Sequence, residues 1–466
     1  MMRERQDSRK AIIDEVARTS ETLTGRGGLA LVSRYLRGME LLPELERVFG
    51  SLRRSRKGQA IGTLFHQLIC FFVDGTSRHL VRFDELREDA GYAGAIETAR
   101  EQMVSSHMVK RFFQAFCGVQ CWLFRRVLQQ LFLWRVKRGQ PGVIVLGIDA
   151  MVMDNSEADQ REGVQPTYKK GVKGFAPLQI TWERFIIDAV FRGGSKHSNA
   201  DRTVGQAISH LVTFLRRHYR ADVAIVLRMD SGFFDQKLFA LCEELGIGYV
   251  CGGRLYDELQ ATVAAAEAAQ WASYRNGKQA WQYFEFADQR RSWRQARRAL
   301  YLRPVYEEEQ CLLQFARPET VLYTNLGCGE LIDGLLAGEG CGDWTRPQRI
   351  IELYHDRGAD ELVHRALKDF ATEALPFQRF AANAAFYYTM LVAFFVYEAF
   401  KEDVTAPVVP VTAYPTRVRR VALDFAAKIV RTGGRTILKV TTATWHQLRI
   451  PELWERTAQP PRFAWG

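Results

Sequence analysis

The chain has 466 residues, a length that fits roughly three domains. With 47% hydrophobic and 25% charged residues it has the balance of a folded globular chain, which excludes a disordered one. Lys plus Arg outnumber Asp plus Glu by 64 to 53, a net charge of +11, which suits a polyanionic partner and equally a merely basic enzyme.

The opening Met1–Lys10 is polar and lacks the apolar core of a secretory signal. Residues 1–135 read as helical, with apolar residues at helical spacing through Leu29–Leu42, Ile61–Phe72 and Val109–Phe116 and a basic run at Leu52–Lys57. In Ser105–Phe116, a serine caps the start, and Val109, Phe112, Phe113 and Phe116 make one buried face. His107, Lys110, Arg111 and Gln114 are left outward, the pattern of a recognition helix and also of an ordinary amphipathic one.

The pattern changes after Gln140. Val143–Ile148 is an apolar, β-branched run, as in a strand buried on both faces, and Asp149 follows it. Strands are predicted at Pro177–Trp182 and Phe185–Phe191, a helix at Asp201–Tyr219, and a buried strand at Val223–Leu227 leading to Asp230. A helix at Gln236–Leu245 and a strand at Gly248–Cys251 complete an α/β sheet over 136–254. From 255 to 341, Tyr, Trp and Arg are dense. Strands at Tyr301–Val305, Cys311–Phe315 and Val321–Thr324 read as a β-rich insertion. Helices resume over 342–404, where Asn383 and Glu398 interrupt the apolar stretch Ala381–Phe400 short of the ~20 residues of a membrane span, so it reads as a core helix. Residues 405–466 form a basic C-terminal region, with Arg417, Arg419, Arg420, Lys428, Arg431, Arg435 and Lys439 against Asp424. The eight cysteines form no Cys-x-x-Cys pair, which predicts reduced thiols in a cytoplasmic protein. The nine histidines are scattered, which argues against a zinc site.

Two acids, Asp149 and Asp230, close predicted buried strands. A carboxylate at such an end points into the crevice where α/β sheets bind ligands, and two together suit a divalent metal with phosphate oxygens. A helix over Gln348–Phe370 offers Glu352, Asp356, Asp360, Glu361 and Asp369. Tyr354, Glu361 and Lys368 are seven apart and stack on one face, with Arg357 about 60° aside. Glu361 there sits among groups able to grip phosphates, and also where an ordinary i,i+4 ion pair with Arg357 would form.

Tyr354-x2-Arg357-x3-Glu361-x6-Lys368, with Asp149 and Asp230 upstream in order, resembles the Y-x2-R-x3-E-x6-K signature of bacterial insertion-sequence DDE transposases. Arg228–Phe233 looks like the second-aspartate motif, and the gap before Glu361 is similar to members with a β-strand insertion. The resemblance covers roughly Leu29–Thr442. It departs at Ala150, where many members have a small hydroxyl residue shortly after the first aspartate, and Asp154 is a competitor for Asp149 beyond the strand.

The resemblance implies an RNase H-like catalytic core interrupted by the β-rich insertion, behind an N-terminal α-helical DNA-binding region. Asp149, Asp230 and Glu361 would be catalytic and would hold two Mg²⁺ or Mn²⁺ ions. Tyr354, Arg357, Lys368, Trp293, Lys110 and Arg111 would contact DNA; Trp293, in an Arg-rich setting, suits stacking on an extruded base, and on its own reads more readily as a buried ring packing the insertion. Lys169–Lys173, near Asp149, suits a further DNA contact and equally a solvated hairpin. The implied partners are double-stranded DNA, as terminal inverted repeats and target, and a second copy in a homodimer on DNA, with no membrane. The implied activity is nicking at element ends and transfer of the 3′-hydroxyl into target DNA in the bacterial cytoplasm, at the nucleoid. Related enzymes with such an insertion cut the second strand through a hairpin. An RNase H-like nuclease or resolvase, and a non-catalytic DNA-binding derivative, are the rival readings.

Overall fold

The computed structural model describes residues 13, 15–53, 58–196, 203–277, 279–291, 293–305, 319–458 and 463. Met1–Lys10, most of the basic run at 54–57 and the strand expected at Cys311–Phe315 lie outside them.

A short strand β1 (Thr22–Thr24) precedes seven helices: α1 (Leu29–Met39), α2 (Leu41–Phe49), α3 (Ile61–Asp74), α4 (Arg82–Glu88), α5 (Ala90–Ala95), α6 (Ser106–Gln114) and α7 (Gly118–Gly139). The helix expected over Leu29–Leu42 is two helices, because Glu40 adopts φ 59° and turns the chain between them. In α6 the Ser105 hydroxyl accepts from the Met108 N–H at 3.3 Å, and the four apolar residues of its inner face are buried as expected. His107, Lys110, Arg111 and Gln114 face solvent.

The strands of the next segment are β2 (Val143–Ala150), the short β3 (Met153–Asp154), β4 (Gln165–Pro166) and β5 (Lys173–Phe175), then β6 (Leu178–Trp182), β7 (Phe185–Val190), β8 (Ala224–Met229) and β9 (Gly248–Gly252). Helices α8 (Thr203–His218) and α9 (Gln236–Glu244) precede β8 and β9. Strand β2 is central. It pairs antiparallel with β6, which pairs with β7, and parallel with β8, which pairs parallel with β9. Every residue of β8 is buried, so its sequence is apolar instead of alternating except at Arg228, whose charge is paired with Asp360.

After helix α10 (Asp257–Ala265), strands β10 (Ala272–Asn276), β11 (Gln279–Asp288), β12 (Arg297–Val305) and β13 (Thr320–Thr324) follow. They continue the same sheet: β13 pairs antiparallel with β9, giving the order β10-β11-β12-β13-β9-β8-β2-β6-β7. The β-rich stretch is therefore an extension of the central sheet and shares its hydrogen-bond ladder.

Helices α11 (Leu331–Gly338), α12 (Pro347–His355), α13 (Gly358–Phe370) and α14 (Phe380–Phe400) come next. Helix α14 is buried along almost its whole length, between the N-terminal helices and the sheet. Phe386 meets Phe72 and Phe113 at 5.3 Å on one side, and Phe395 meets Phe185 at 4.6 Å on the other. Each such ring contributes about 1.5–3 kcal/mol on burial, so α14 is the main apolar link between the two halves. By length and composition it could cross a membrane, but 89% of its apolar window is buried inside the protein.

The C-terminal segment carries α15 (Pro415–Val418), a hairpin of β14 (Ala427–Thr432) and β15 (Arg435–Val440), then α16 (Thr442–Gln447) and α17 (Ile450–Ala458). Gly433 and Gly434 turn the hairpin at φ 54° and 71°, a region glycine enters without strain. Strand β1 pairs with β14, so both ends of the chain share one small sheet. Arg419 does not belong to the solvated basic surface. Its guanidinium is buried and donates to the carbonyls of Phe72, Val73, Asp369 and Phe370, tying α3 to α13.

Candidate active site at the ends of β2 and β8

Asp149 is the penultimate residue of β2, and Asp230 directly follows β8. Because β2 and β8 are adjacent and parallel, both acids lie at the same edge of the sheet. One Asp149 oxygen, Oδ1, accepts from the Ala150 N–H at 2.7 Å. Asp230 accepts from the Gly232 N–H at 2.9 Å, which shapes the turn after β8. Burial, and then the charge of Asp230, push the Asp149 carboxyl up to about 6. Asp154, the competing acid, is exposed and caps the Ser156 turn instead.

The third wall comes from α12 and α13. The single helix expected from Gln348 to Phe370 is two, because hydrogen bonds at the join shorten. Arg357, Ala359 and Asp360 donate to the carbonyls three residues back, a 3₁₀-type turn. Pro347 starts α12 at a position needing no N–H, and Gly358, a poor helix former, stands at the join. The backbone stays right-handed helical through Asp356 and Arg357, so the face survives the kink.

Tyr354 packs against the end of β9. Any side chain at Gly252 would come within 2.5 Å of its hydroxyl, so glycine is required there. Arg357 is half-buried, 6.0 Å from the Tyr354 ring, and donates to Glu361 at 2.9 Å. The charges of Arg357 and Glu361 both act on Asp149, the first lowering and the second raising its pKa. Lys368 pairs with Glu373 at 2.8 Å. The structure thus gathers Asp149, Asp230, Tyr354, Arg357 and Glu361 around one edge, with Lys368 two turns further along α13.

Asp360, neighbour of Glu361, points the other way. Its Oδ1 accepts from Arg228 at 3.0 Å and Thr181 at 3.1 Å inside the protein. A side chain at Gly147 would come within 2.5 Å of that carboxylate, so β2 carries glycine where α13 crosses it. Two further residues reach the site. His364, buried, brings Nδ1 to 3.6 Å from Asp149 Oδ2, and burial lowers it to about 4. Tyr168, exposed on the β4–β5 loop beside Lys169 and Lys170, approaches the Ala150 carbonyl at 3.3 Å. Burial of its hydroxyl, then Asp149 and Asp230, raise its pKa. Helix geometry places His364, seven residues from Arg357, on the same face, but its contact with Asp149 is set by the packing of α13 on the sheet.

Of its two readings, Trp293 takes the packing one. It is buried among Phe234, Phe239 and Tyr323, with Arg290 and Arg297 over its ring at 5.1 and 5.8 Å. Arg297 is itself buried in a pair with Glu243. The half-buried Trp271, under Arg303 at 3.9 Å, is the more accessible aromatic.

Hard-oxygen donors from Asp149 and Asp230 suit Mg²⁺ or Mn²⁺, and the burial and the Asp230 charge that raise the Asp149 pKa are both effects a cation would offset. No group of three acid, His or Cys side chains is close enough to hold a metal ion among the described residues, since Glu361 is turned to Arg357. The donor set fits in chemistry, and the third carboxylate has to leave its arginine to join.

A sequence profile described as Transposase DDE domain group 1 matches residues 6–460. The chain belongs to this DDE transposase family. No curated protein matches it. Among solved structures, the synaptic complex of piggyBac transposase with hairpin DNA is similar over 87% of this chain and 88% of that one, at 12% identity and a TM-score of 0.26. That likeness is too distant to bear on fold or mechanism.

Proposed function

We propose that this DDE transposase serves a bacterial insertion sequence in the cytoplasm, binding its terminal inverted repeats, nicking the ends and joining the 3′-hydroxyl to target DNA. The observation that carries the reading is the meeting of Asp149 and Asp230, on adjacent parallel strands, with the Arg357–Glu361 pair on α13. The strand order β7-β6-β2-β8-β9, with only the first two pairings antiparallel, supports an RNase H-like core.

Asp149, Asp230 and Glu361 would hold two Mg²⁺ or Mn²⁺ ions. Such ions, when bound, activate an attacking oxygen and neutralise the leaving one. Phosphate oxygens compete with Glu361 for Arg357, whose fork matches them, and this exchange frees the Glu361 carboxylate. Lys368 grips a flanking phosphate, and the Tyr354 hydroxyl stands beside it as a neutral donor. Lys110 and Arg111 on the outer face of α6 offer duplex contacts away from the chemistry, and Arg111 lines one groove with Arg53 and Arg379. Two ends must be held together, which asks for a homodimer on DNA.

Asp230→Asn and Glu361→Gln are expected to bind end DNA normally and to lose Mg²⁺-dependent nicking. Retained nicking refutes the assignment. Lys368→Ala is expected to weaken end binding and to flatten its salt dependence by about one unit of slope. The engagement of Glu361 by Arg357 favours one second reading, a DNA-binding derivative that no longer cleaves. Failure to cut any end sequence with either Mg²⁺ or Mn²⁺ would select it.

A further inference from the structure

We infer that His364 is a positioning residue that orients the Asp149 carboxylate for the cation, an inference that rests on the metal-site reading above. A carboxylate at a strand end has a free χ2 rotation, and only part of that freedom is removed by the backbone. The Ala150 N–H holds Oδ1 at 2.7 Å. The other oxygen, Oδ2, has the His364 ring as its facing side-chain partner, with Nδ1 at 3.6 Å. That separation is beyond a hydrogen bond, and active-site bonds of this kind commonly tighten only once the site is loaded. Any form of the ring with a proton on Nδ1 serves as the donor.

The placement of His364 is specific. It lies on α13 one turn after Glu361, so the helix that brings the third acid also brings the ring to the first. It is buried beside a core made by Val363 and Leu367, which limits its rotation. Its second nitrogen, Nε2, is buried without a hydrogen-bond partner, so Nδ1 is the atom through which the ring acts on the site. An imidazole contributed only for packing would be replaced at lower cost by an apolar side chain, since a buried polar atom left unbonded costs about 1–3 kcal/mol. Fixing a ligand from behind typically changes metal affinity 10–100-fold.

The test uses the full chain without DNA and Mn²⁺ alone, with free ion read by electron paramagnetic resonance. His364→Ala is expected to bind Mn²⁺ about 10–100-fold more weakly than the wild type. His364→Asn, whose amide N–H falls near the place of Nδ1, is expected to recover most of that loss. Melting temperatures without metal separate positioning from folding. Unchanged Mn²⁺ affinity in His364→Ala overturns the inference. So does an equal loss in both variants that tracks their metal-free melting temperatures. Asp149→Asn is the control: wild-type Mn²⁺ binding there overturns the metal-site reading itself, and with it the role of His364.

Discussion

Replacing Asp149 by Asn is expected to stabilise the protein while abolishing cleavage. The amide keeps an oxygen for the Ala150 N–H and removes the charge that burial and Asp230 oppose. The carboxyl moves from 3.8 to about 6 on folding, and each unit is 1.36 kcal/mol, so the ionised form costs about 3 kcal/mol. Solvent reaches a quarter of the side chain, with 25% exposed, which trims the figure to about 2 kcal/mol. The sign follows from proton uptake. The folded state binds this proton more tightly than the unfolded one, so wild-type stability is full below pH 3.8 and falls as pH rises through about 6. The Asn variant lacks that loss. For a chain of 466 residues the unfolding entropy is about 1 kcal/mol/K, so the melting temperature should rise about 2 °C at pH 7.5. The two proteins should converge below pH 4. Scanning fluorimetry across pH 4–8 without divalent metal measures both. Equal melting temperatures at pH 7.5, or a gain that persists at pH 4, refute the reasoning.

Asp360→Ala should destabilise by about 3–5 kcal/mol, because it strands the Arg228 guanidinium inside the protein. Denaturant unfolding checks this, and a change under 1 kcal/mol would show that solvent reaches Arg228. Trp293→Ala should cost a similar 3–5 kcal/mol as a buried ring is lost. Trp271→Ala should leave stability nearly unchanged, and if either residue stacks on an extruded base its loss appears in 2-aminopurine fluorescence of the bound end.

Much of the sheet was legible in the sequence. Strands covered on both faces are mostly apolar, so β2 and β8 announce themselves, and the acids at their ends are conspicuous. The capped, one-sided α6 was equally readable, since its spacing is a local property. Trp293 was not. An aromatic among arginines has one composition whether its ring is open to a base or sealed by Phe234 and Tyr323. The fate of the +11 charge was hidden for the same reason: Arg297 and Arg419 are interior, while Arg431, Arg435 and Lys439 are exposed.

What the sequence by itself determined is the alternation of strand and helix, the order of the acids and the face carrying Tyr354, Glu361 and Lys368. Those follow from period and local propensity. Only the tertiary structure decided that the β-rich segment extends the central sheet, that both chain ends share a small sheet, and that His364 stands behind Asp149. These depend on contacts between residues up to 407 positions apart, as in the pairing of Thr22 with Ile429. Such pairings are selected by the burial of the whole molecule, and no short stretch of chain encodes them.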